Sequence, residues 1–193
     1  GWMDTRELII HPAYNSTTHD NDIALIRLLY PITLNTSVQT IRIANTSDNA
    51  LYSGGSVTVT GWGTTSSGGA VSNVLKEATI PLVANTTCNS MYGGGITSNM
   101  FCAGDTTVGG IDSCQGDSGG PAIKDDASGR PVLIGVVSYG IGCADPLYPG
   151  VYARVSALSA FITAKIGRVD VPTVTASSTR TSTATHTASR TRT

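Results

Sequence analysis

One serine in this 193-residue chain lies in surroundings that suit nucleophilic chemistry. Ser118 lies among glycines and carboxylates in the segment Asp112–Pro121, DSCQGDSGGP. Glycines allow the backbone to turn tightly beside that hydroxyl. A hydroxyl is a weak nucleophile at its own pKa, so acyl transfer needs a base for its proton and backbone N–H groups for the oxyanion. We interpret the segment as a nucleophile loop, with an ordinary Gly-rich turn carrying a capping serine as the alternative.

The four cysteines favour disulfides over a metal site. They lack CxxC spacing and have no histidine near them, which disfavours zinc. Disulfides persist in oxidising compartments and therefore favour a secreted protein. The residues alone leave three pairings open. The cysteines are Cys88, Cys102, Cys114 and Cys143.

Four N-x-Ser/Thr sequons are consistent with the same compartment, because they are glycosylated only on a secretory route. In a chain so rich in Ser and Thr, sequons also arise by chance. The acceptor residues are Asn15, Asn35, Asn45 and Asn85.

The composition excludes two classes of protein. There is no run of 18 apolar residues, which argues against a membrane channel. Only 13% of residues are charged and the net charge is −1, which argues against nucleic-acid binding through a basic face. The 22 glycines and the short runs of Val, Ile, Thr and Tyr between turn residues are typical of an all-β protein.

The pattern along the chain predicts many short strands and one helix. The helix is predicted at Ser156–Ile166, where Leu158, Phe161 and Ile162 recur on one face. Turn residues bound each predicted strand. The strands are Glu7–Ile10, Asp22–Leu29, Val38–Ile43, Ser56–Thr60, Leu75–Val83, Pro121–Lys124, Val132–Ser138 and Gly150–Val155.

The composition changes after the predicted helix. Residues 172–193 contain 9 Thr, 4 Ser and three arginines but no acidic residue. Such a segment cannot bury a core, so it is predicted to be a disordered, O-glycosylated tail or linker. A basic tether for an acidic surface is the alternative.

The chain resembles the chymotrypsin-like serine peptidases, and specifically the trypsins, over residues 5–168. The resemblance is specific because several motifs occur in the family's order. They are Ile9–Pro12, Asn21–Ile26, Gly61–Gly63, Ile96–Gly104, Asp112–Pro121, Val137–Gly140 and Pro149–Tyr152.

The resemblance implies an all-β fold, a chymotrypsin-like double six-stranded barrel with the first barrel truncated and a carboxyl-terminal α-helix. Residues 1–168 would form an incomplete peptidase domain. Within it, 1–52 would be the remnant of the first barrel and the crossover, 53–155 the second barrel, and 156–168 the terminal helix. Residues 169–193 would be the Ser/Thr-rich disordered tail.

The resemblance also implies roles for the residues around Ser118. Ser118 would be the nucleophile, and the N–H groups of Gly116 and Ser118 would form the oxyanion hole. Asp22 would be the catalytic acid that orients a histidine; alone, it could be an ordinary turn aspartate. Asp117 would be the zymogen-activation carboxylate, which pairs with a new amino terminus after cleavage.

The specificity pocket follows from the same resemblance. Asp112 would lie at its base and select a cation, so that Arg or Lys precedes the cleaved bond. Gly140 and Gly150 would form its walls, and Ser138 and Tyr152 would line it. The implied disulfides are sequential, Cys88 with Cys102 and Cys114 with Cys143. Tyr139 departs from the family, which usually has tryptophan there.

The family's catalytic histidine has no counterpart in this sequence. It belongs to an Ala-Ala-His-Cys stretch upstream of the aspartate, and no such stretch is present. His11 matches a structural position and His186 lies in the tail. His19, three residues before Asp22, is the weak alternative as a base. The chain is therefore expected to be a fragment that is inactive alone.

The resulting hypothesis is a secreted, extracellular serine endopeptidase that cleaves after Arg or Lys through an acyl-enzyme. It implies no cofactor and no metal. Its partners would be polypeptide substrates and proteinaceous inhibitors, with no nucleic acid and no membrane span. The alternative is a non-catalytic homologue acting as a binding or regulatory module. A third hypothesis, an adhesion β-domain with a mucin-like stalk, explains the tail but not Asp112–Pro121.

Overall fold

The computed structural model describes residues 3–166. The tail predicted from residue 169 and the last two residues of the predicted peptidase domain lie outside the described residues. The strands are β1 Thr5–Ile10, β2 Ala24–Leu28, β3 Arg42–Ile43, β4 Ser56–Gly61, β5 Lys76–Val83, β6 Met100–Ala103, β7 Pro121–Asp125, β8 Pro131–Tyr139 and β9 Gly150–Arg154. The helices are α1 Asn85–Met91, α2 Val155–Ile166 and a 3₁₀ helix, Thr46–Tyr52.

Strands β4 to β9 form a closed barrel. Their order is β8-β7-β4-β5-β6-β9, and a further antiparallel pairing of β8 with β9 completes the ring. The short strand β3 adds to β8 in parallel. Alternate residues of each strand point inward because the side-chain period of a strand is two. The prediction of an all-β fold with a closed six-stranded barrel is confirmed.

The predicted carboxyl-terminal helix is also confirmed, and it begins one residue earlier than expected, at Val155. Leu158 and Ile162 are buried in the main core. The largest fully buried side chains of that core include Tyr152, Phe101 and Ile80. Among residues 3–166, no helix has the length and apolar character needed to span a bilayer.

The strands β1 and β2 form a separate two-stranded antiparallel sheet, with Ile9 opposite Leu25. One face of this sheet is unusually exposed. The exposed fractions of Leu8, Ile10 and Ile26 are 63%, 58% and 63%. Two paired strands rarely bury enough surface to be stable alone. The exposed face of β1 and β2 is compatible with the truncated first barrel that the resemblance implies, and the assignment of residues 1–52 to its remnant stays a prediction.

Four predicted strands are shorter in the structure, and two of them, those predicted at Leu75–Val83 and Gly150–Val155, by one residue only. The strand predicted at Asp22–Leu29 begins at Ala24, because Ile23 N–H donates to Asn21 O at 2.8 Å and holds Asp22 in a tight turn. The strand predicted at Val38–Ile43 is limited to Arg42–Ile43. Asn35 Oδ1 accepts hydrogen bonds from the N–H groups of Ser37 and Val38, which holds this region in a turn.

Three elements were not predicted. Helix α1 contains mainly Asn, Thr and Ser, which are poor helix formers. It is held by the disulfide from Cys88 to Cys102 on β6. Strand β6 is short and wholly buried, so it lacks an alternating pattern. The 3₁₀ helix has a capping box formed by Asn45 and Asp48, a local signal that could have revealed it.

Candidate active site

The nucleophile loop is fixed to the barrel at both ends. The disulfide between Cys114 and Cys143 ties it to the loop before β9, with 5.3 Å between the Cα atoms. Gly119 N–H donates to Val137 O at 2.9 Å. Gly116 and Gly119 have φ angles of 96° and 81°, which glycine adopts without steric cost. The glycines therefore permit the turn that presents Ser118.

Ser118 is exposed at the tip of this turn. Within residues 3–166, neither the N–H of Gly116 nor that of Ser118 donates to a protein acceptor. Donors without an internal partner remain free to bind an oxyanion. This arrangement suits the stabilisation of a tetrahedral intermediate formed on the Ser118 hydroxyl.

A cavity of about 200 Å³ opens beside Ser118. Asp112, Ser138, Gly140 and Gly150 also line it. Five of the residues assigned to nucleophile and pocket therefore lie around one space. Tyr152 is not among the lining residues; its hydroxyl lies 3.0 Å from the Oγ of Ser113, which does line the cavity.

Asp112 is the charged residue among those that line the cavity. Its Oδ1 accepts from Ser113 N–H at 2.8 Å and its Oδ2 from Ala144 N–H at 3.1 Å. Burial nevertheless raises the pKa of Asp112 to about 6, and the negative charge of Asp117 acts in the same direction. No basic side chain among residues 3–166 forms an ion pair with it. A partly buried carboxylate without a cationic partner favours a cationic ligand.

The two glycines of the pocket wall serve different purposes. A Cβ atom at Gly150 would lie 2.6 Å from Asp112 Oδ1 and 3.3 Å from the Tyr152 hydroxyl oxygen. At Gly140 the nearest atom to such a Cβ would be the Cα of Gly150, at 3.9 Å. Gly150 therefore makes room for the carboxylate, and Gly140 leaves space in the cavity itself.

Asp22 is joined to this site through Ser138. The Ser138 hydroxyl donates to Asp22 Oδ2 at 2.6 Å. Ser138 also lines the cavity that contains Ser118. The sequence did not reveal Ser138 as the partner of Asp22, because the two residues are 116 positions apart and belong to no common motif.

The described histidines make aromatic contacts. The ring of His19 stacks on Tyr139, with 4.8 Å between centroids, and Tyr139 lines the Ser118 cavity. The ring of His11 lies 4.5 Å from that of Phe161 on α2. Neither histidine forms a hydrogen bond with Ser118 within residues 3–166. His186 lies outside the described residues.

Asp117 turns away from the Ser118 cavity. Its Oδ1 accepts from Gly63 N–H at 2.8 Å and its Oδ2 from Cys114 N–H at 2.9 Å. It lines a second cavity of about 250 Å³ together with Gly61 and Gly63. A side chain at either glycine would collide with the carboxylate. This explains the glycines on both sides of Trp62.

The structure also shows the disulfide pairing and the surroundings of the four sequon asparagines. The disulfide from Cys88 to Cys102 spans 6.4 Å between Cα atoms, so the structure contains the sequential pairing that the resemblance implies. Asn85 Nδ2 donates to Met100 O at 3.0 Å and is partly buried, whereas the other three sequon asparagines are exposed. Residues 3–166 contain no group of three or more metal-ligating side chains.

The chain is similar to trypsins over almost the whole described region. A family model described as Trypsin matches residues 2–162. The chain is 46% identical to a trypsin of Phaedon cochleariae over 160 residues, which cover 82% of this chain and 60% of that protein. It is 46% identical to trypsin-1 of Salmo salar over 162 residues, 84% and 63% respectively. It is 42% identical to transmembrane protease serine 11C of Mus musculus over 164 residues, 84% and 38%. It spans less than two thirds of these relatives.

Proposed function

The chain belongs to the trypsin family, and on that basis we propose that it forms part of a secreted serine endopeptidase that cleaves peptide bonds after Arg or Lys. The observation that carries the proposal is the shared cavity of Ser118 and Asp112. Ser118 provides an exposed nucleophile, and Asp112 provides a partly buried anion in the same cavity. A long cationic side chain in this cavity would bring the following peptide bond to Ser118.

The reaction is acyl transfer in two steps. Ser118 Oγ attacks the peptide carbonyl carbon while a base accepts its proton, and the N–H groups of Gly116 and Ser118 bind the oxyanion. The C–N bond then breaks, and the amine leaves with that proton. Water hydrolyses the resulting acyl-enzyme by the same route. In this proposal the base is a histidine contributed by chain outside these 193 residues, and Asp22 orients it.

The framework of the site supports the rest of the proposal. The two disulfides fit an oxidising, extracellular compartment. The cavity beside Asp117 could receive a new amino terminus, whose positive charge would pair with the carboxylate. The exposed face of β1 and β2 fits a first barrel completed by further strands. Residues 1–52, 53–155 and 156–168 would then be the remnant, the second barrel and the terminal helix.

Kinetics of the full-length protein that contains this chain test the proposal. Arg and Lys amide substrates should be cleaved at least 100-fold faster than Phe substrates, because an unpaired buried charge is costly. Asp112→Ser should abolish that preference. Asp125→Ser is the matched control, because Asp125 is exposed at the end of β7, and it should leave kcat/KM unchanged.

Two outcomes would contradict the proposal. Equal cleavage of Arg and Phe substrates by the unmodified protein would mean that Asp112 does not select the substrate. Saturable binding of Arg peptides with no hydrolysis and no covalent adduct on Ser118 would instead favour the non-catalytic binding module.

A further inference from the structure

A polar cluster attaches the loop before Asp22 to the barrel. Asp20 Oδ1 accepts from Thr97 Oγ1 at 2.6 Å and from Asn99 Nδ2 at 3.1 Å. Asn99 Nδ2 lies 3.2 Å from Asn21 Oδ1, and Asn21 Nδ2 donates to Asp20 Oδ2 at 3.2 Å. All four residues of the cluster are partly buried, so water competes less for their hydrogen bonds.

The backbone at Asp20 needs such an attachment. His19 and Asn21, on either side, have φ angles of 54° and 57°, in the left-handed region that non-glycine residues adopt uncommonly and Asn and His more often than others. Residues persist in this region when their surroundings hold them there. Asn15 N–H donates to Asp20 O at 3.1 Å and closes the loop behind. The side chain of Asp20 therefore anchors the strained part of the loop.

The anchor lies immediately before the catalytic acid. Among the residues that the structure describes, loop 11–22 forms hydrogen bonds with the barrel at two places only. One is the Asp20 cluster, and the other is the bond between Ser138 and Asp22 itself. The second bond engages only one carboxylate oxygen of Asp22. It therefore fixes the distance between Asp22 and Ser138, whereas the orientation of the carboxylate depends on the backbone that precedes Asp22.

We propose that Asp20 is a positioning residue. By accepting hydrogen bonds from Thr97 and Asn99, it fixes the loop that orients Asp22 and that stacks the ring of His19 on Tyr139. This role rests on the proposed peptidase function. Among residues 3–166, Asp20 forms no hydrogen bond with Asp112 or Ser118, so its loss should affect the chemical step and not the binding of a cationic side chain.

Enzyme kinetics of the full-length protein separate positioning from stability. Asp20→Ala should lower kcat for a single-residue Arg amide about tenfold and change KM less than twofold. The acid limb of kcat/KM should move to lower pH, because a displaced Asp22 carboxylate stabilises the protonated base less. Thr97→Val, which removes only the hydroxyl, should act in the same direction, and Thr97→Ser should restore kcat.

Asp126→Ala is the matched control. Asp126 Oδ1 accepts from Ser128 Oγ at 2.6 Å, like the bond from Thr97 to Asp20, but it lies in the hairpin between β7 and β8. Its removal should lower the melting temperature and leave kcat and the acid limb unchanged. If Asp20→Ala behaves like Asp126→Ala, the positioning role is wrong.

Hydrogen–deuterium exchange distinguishes failure of this inference from failure of the proposed function. Peptides within residues 11–23 should exchange faster in Asp20→Ala than in the unmodified protein, whether or not the protein cleaves Arg substrates. Unchanged exchange would overturn the anchor. Faster exchange in a protein without peptidase activity would support the anchor and refute the function proposed above.

Discussion

Gly150 and Asp112 are packed so closely that a methyl group on Gly150 would lie 2.6 Å from the Asp112 carboxylate. Real Cβ atoms do not approach an oxygen to this distance, so the carboxylate would have to move. A methyl group on the neighbouring Gly140 would have its nearest atom, the Cα of Gly150, at 3.9 Å. One glycine of the cavity wall therefore leaves room for the Asp112 carboxylate, and the other leaves open space within the cavity.

The first prediction compares these glycines. Gly150→Ala should lower kcat/KM for Arg substrates at least 100-fold, because the displaced carboxylate no longer meets the cation. Gly140→Ala should mainly raise KM, because the methyl group takes space from the substrate. Kinetics of both variants with Arg amides provide the measurement. Equal effects of the two substitutions would contradict the close packing of Gly150 against Asp112.

The second prediction concerns ligand binding and pH. Because the pKa of Asp112 is raised to about 6 in the empty pocket, its carboxyl group is protonated below that pH. Affinity for an amidinium inhibitor should therefore fall about tenfold per pH unit below pH 6 and level off above it. Asp112→Asn should bind weakly at every pH. Calorimetric titration of the Ser118→Ala protein measures both, and a flat profile from pH 4.5 to 7 would contradict the prediction.

The third prediction concerns stability, and the raised pKa determines its sign. Between the ordinary value of 3.8 and about 6, the folded state binds more protons at Asp112 than the unfolded state does. The free energy of unfolding therefore falls as pH rises through this window. Between pH 4 and pH 7 the free energy of unfolding of the Ser118→Ala protein should fall by about 2–3 kcal/mol more than that of the same protein with Asp112→Asn added. Urea unfolding at the two pH values measures the difference, and a gain would contradict it.

The fourth prediction uses the two disulfides as mutual controls. They close loops of 14 and 29 residues, so each should contribute about 3 kcal/mol by loop entropy. Replacing either pair with alanine should lower stability similarly. Only the loss of the disulfide from Cys114 to Cys143 should lower kcat, because that bond holds the nucleophile loop. We would measure kcat of both variants at a temperature at which both are folded. An equal loss of kcat in the two variants would contradict the prediction.

Local patterns explain which features the sequence predicted. Strand β4 alternates apolar and polar residues, and the segment around Ser118 carries its chemistry within ten residues, so both could be read directly. Helix α1 could not be predicted, because its residues disfavour helices and the disulfide at Cys88 stabilises it. The hydrogen bond from Ser138 to Asp22 joins residues 116 positions apart, so it could be found only from the three-dimensional structure.

The last prediction tests whether His19 is a base or a contact residue. Its ring stacks on Tyr139, with 4.8 Å between centroids, and no hydrogen bond to Ser118 occurs within residues 3–166. His19→Ala in the full-length protein should therefore leave kcat for a single-residue Arg amide within about twofold. KM for extended peptides should rise, because the exposed face of Tyr139 loses its stacked partner. Loss of a catalytic base would instead lower kcat by roughly four orders of magnitude or more, so a fall of that size in His19→Ala would make His19 the base.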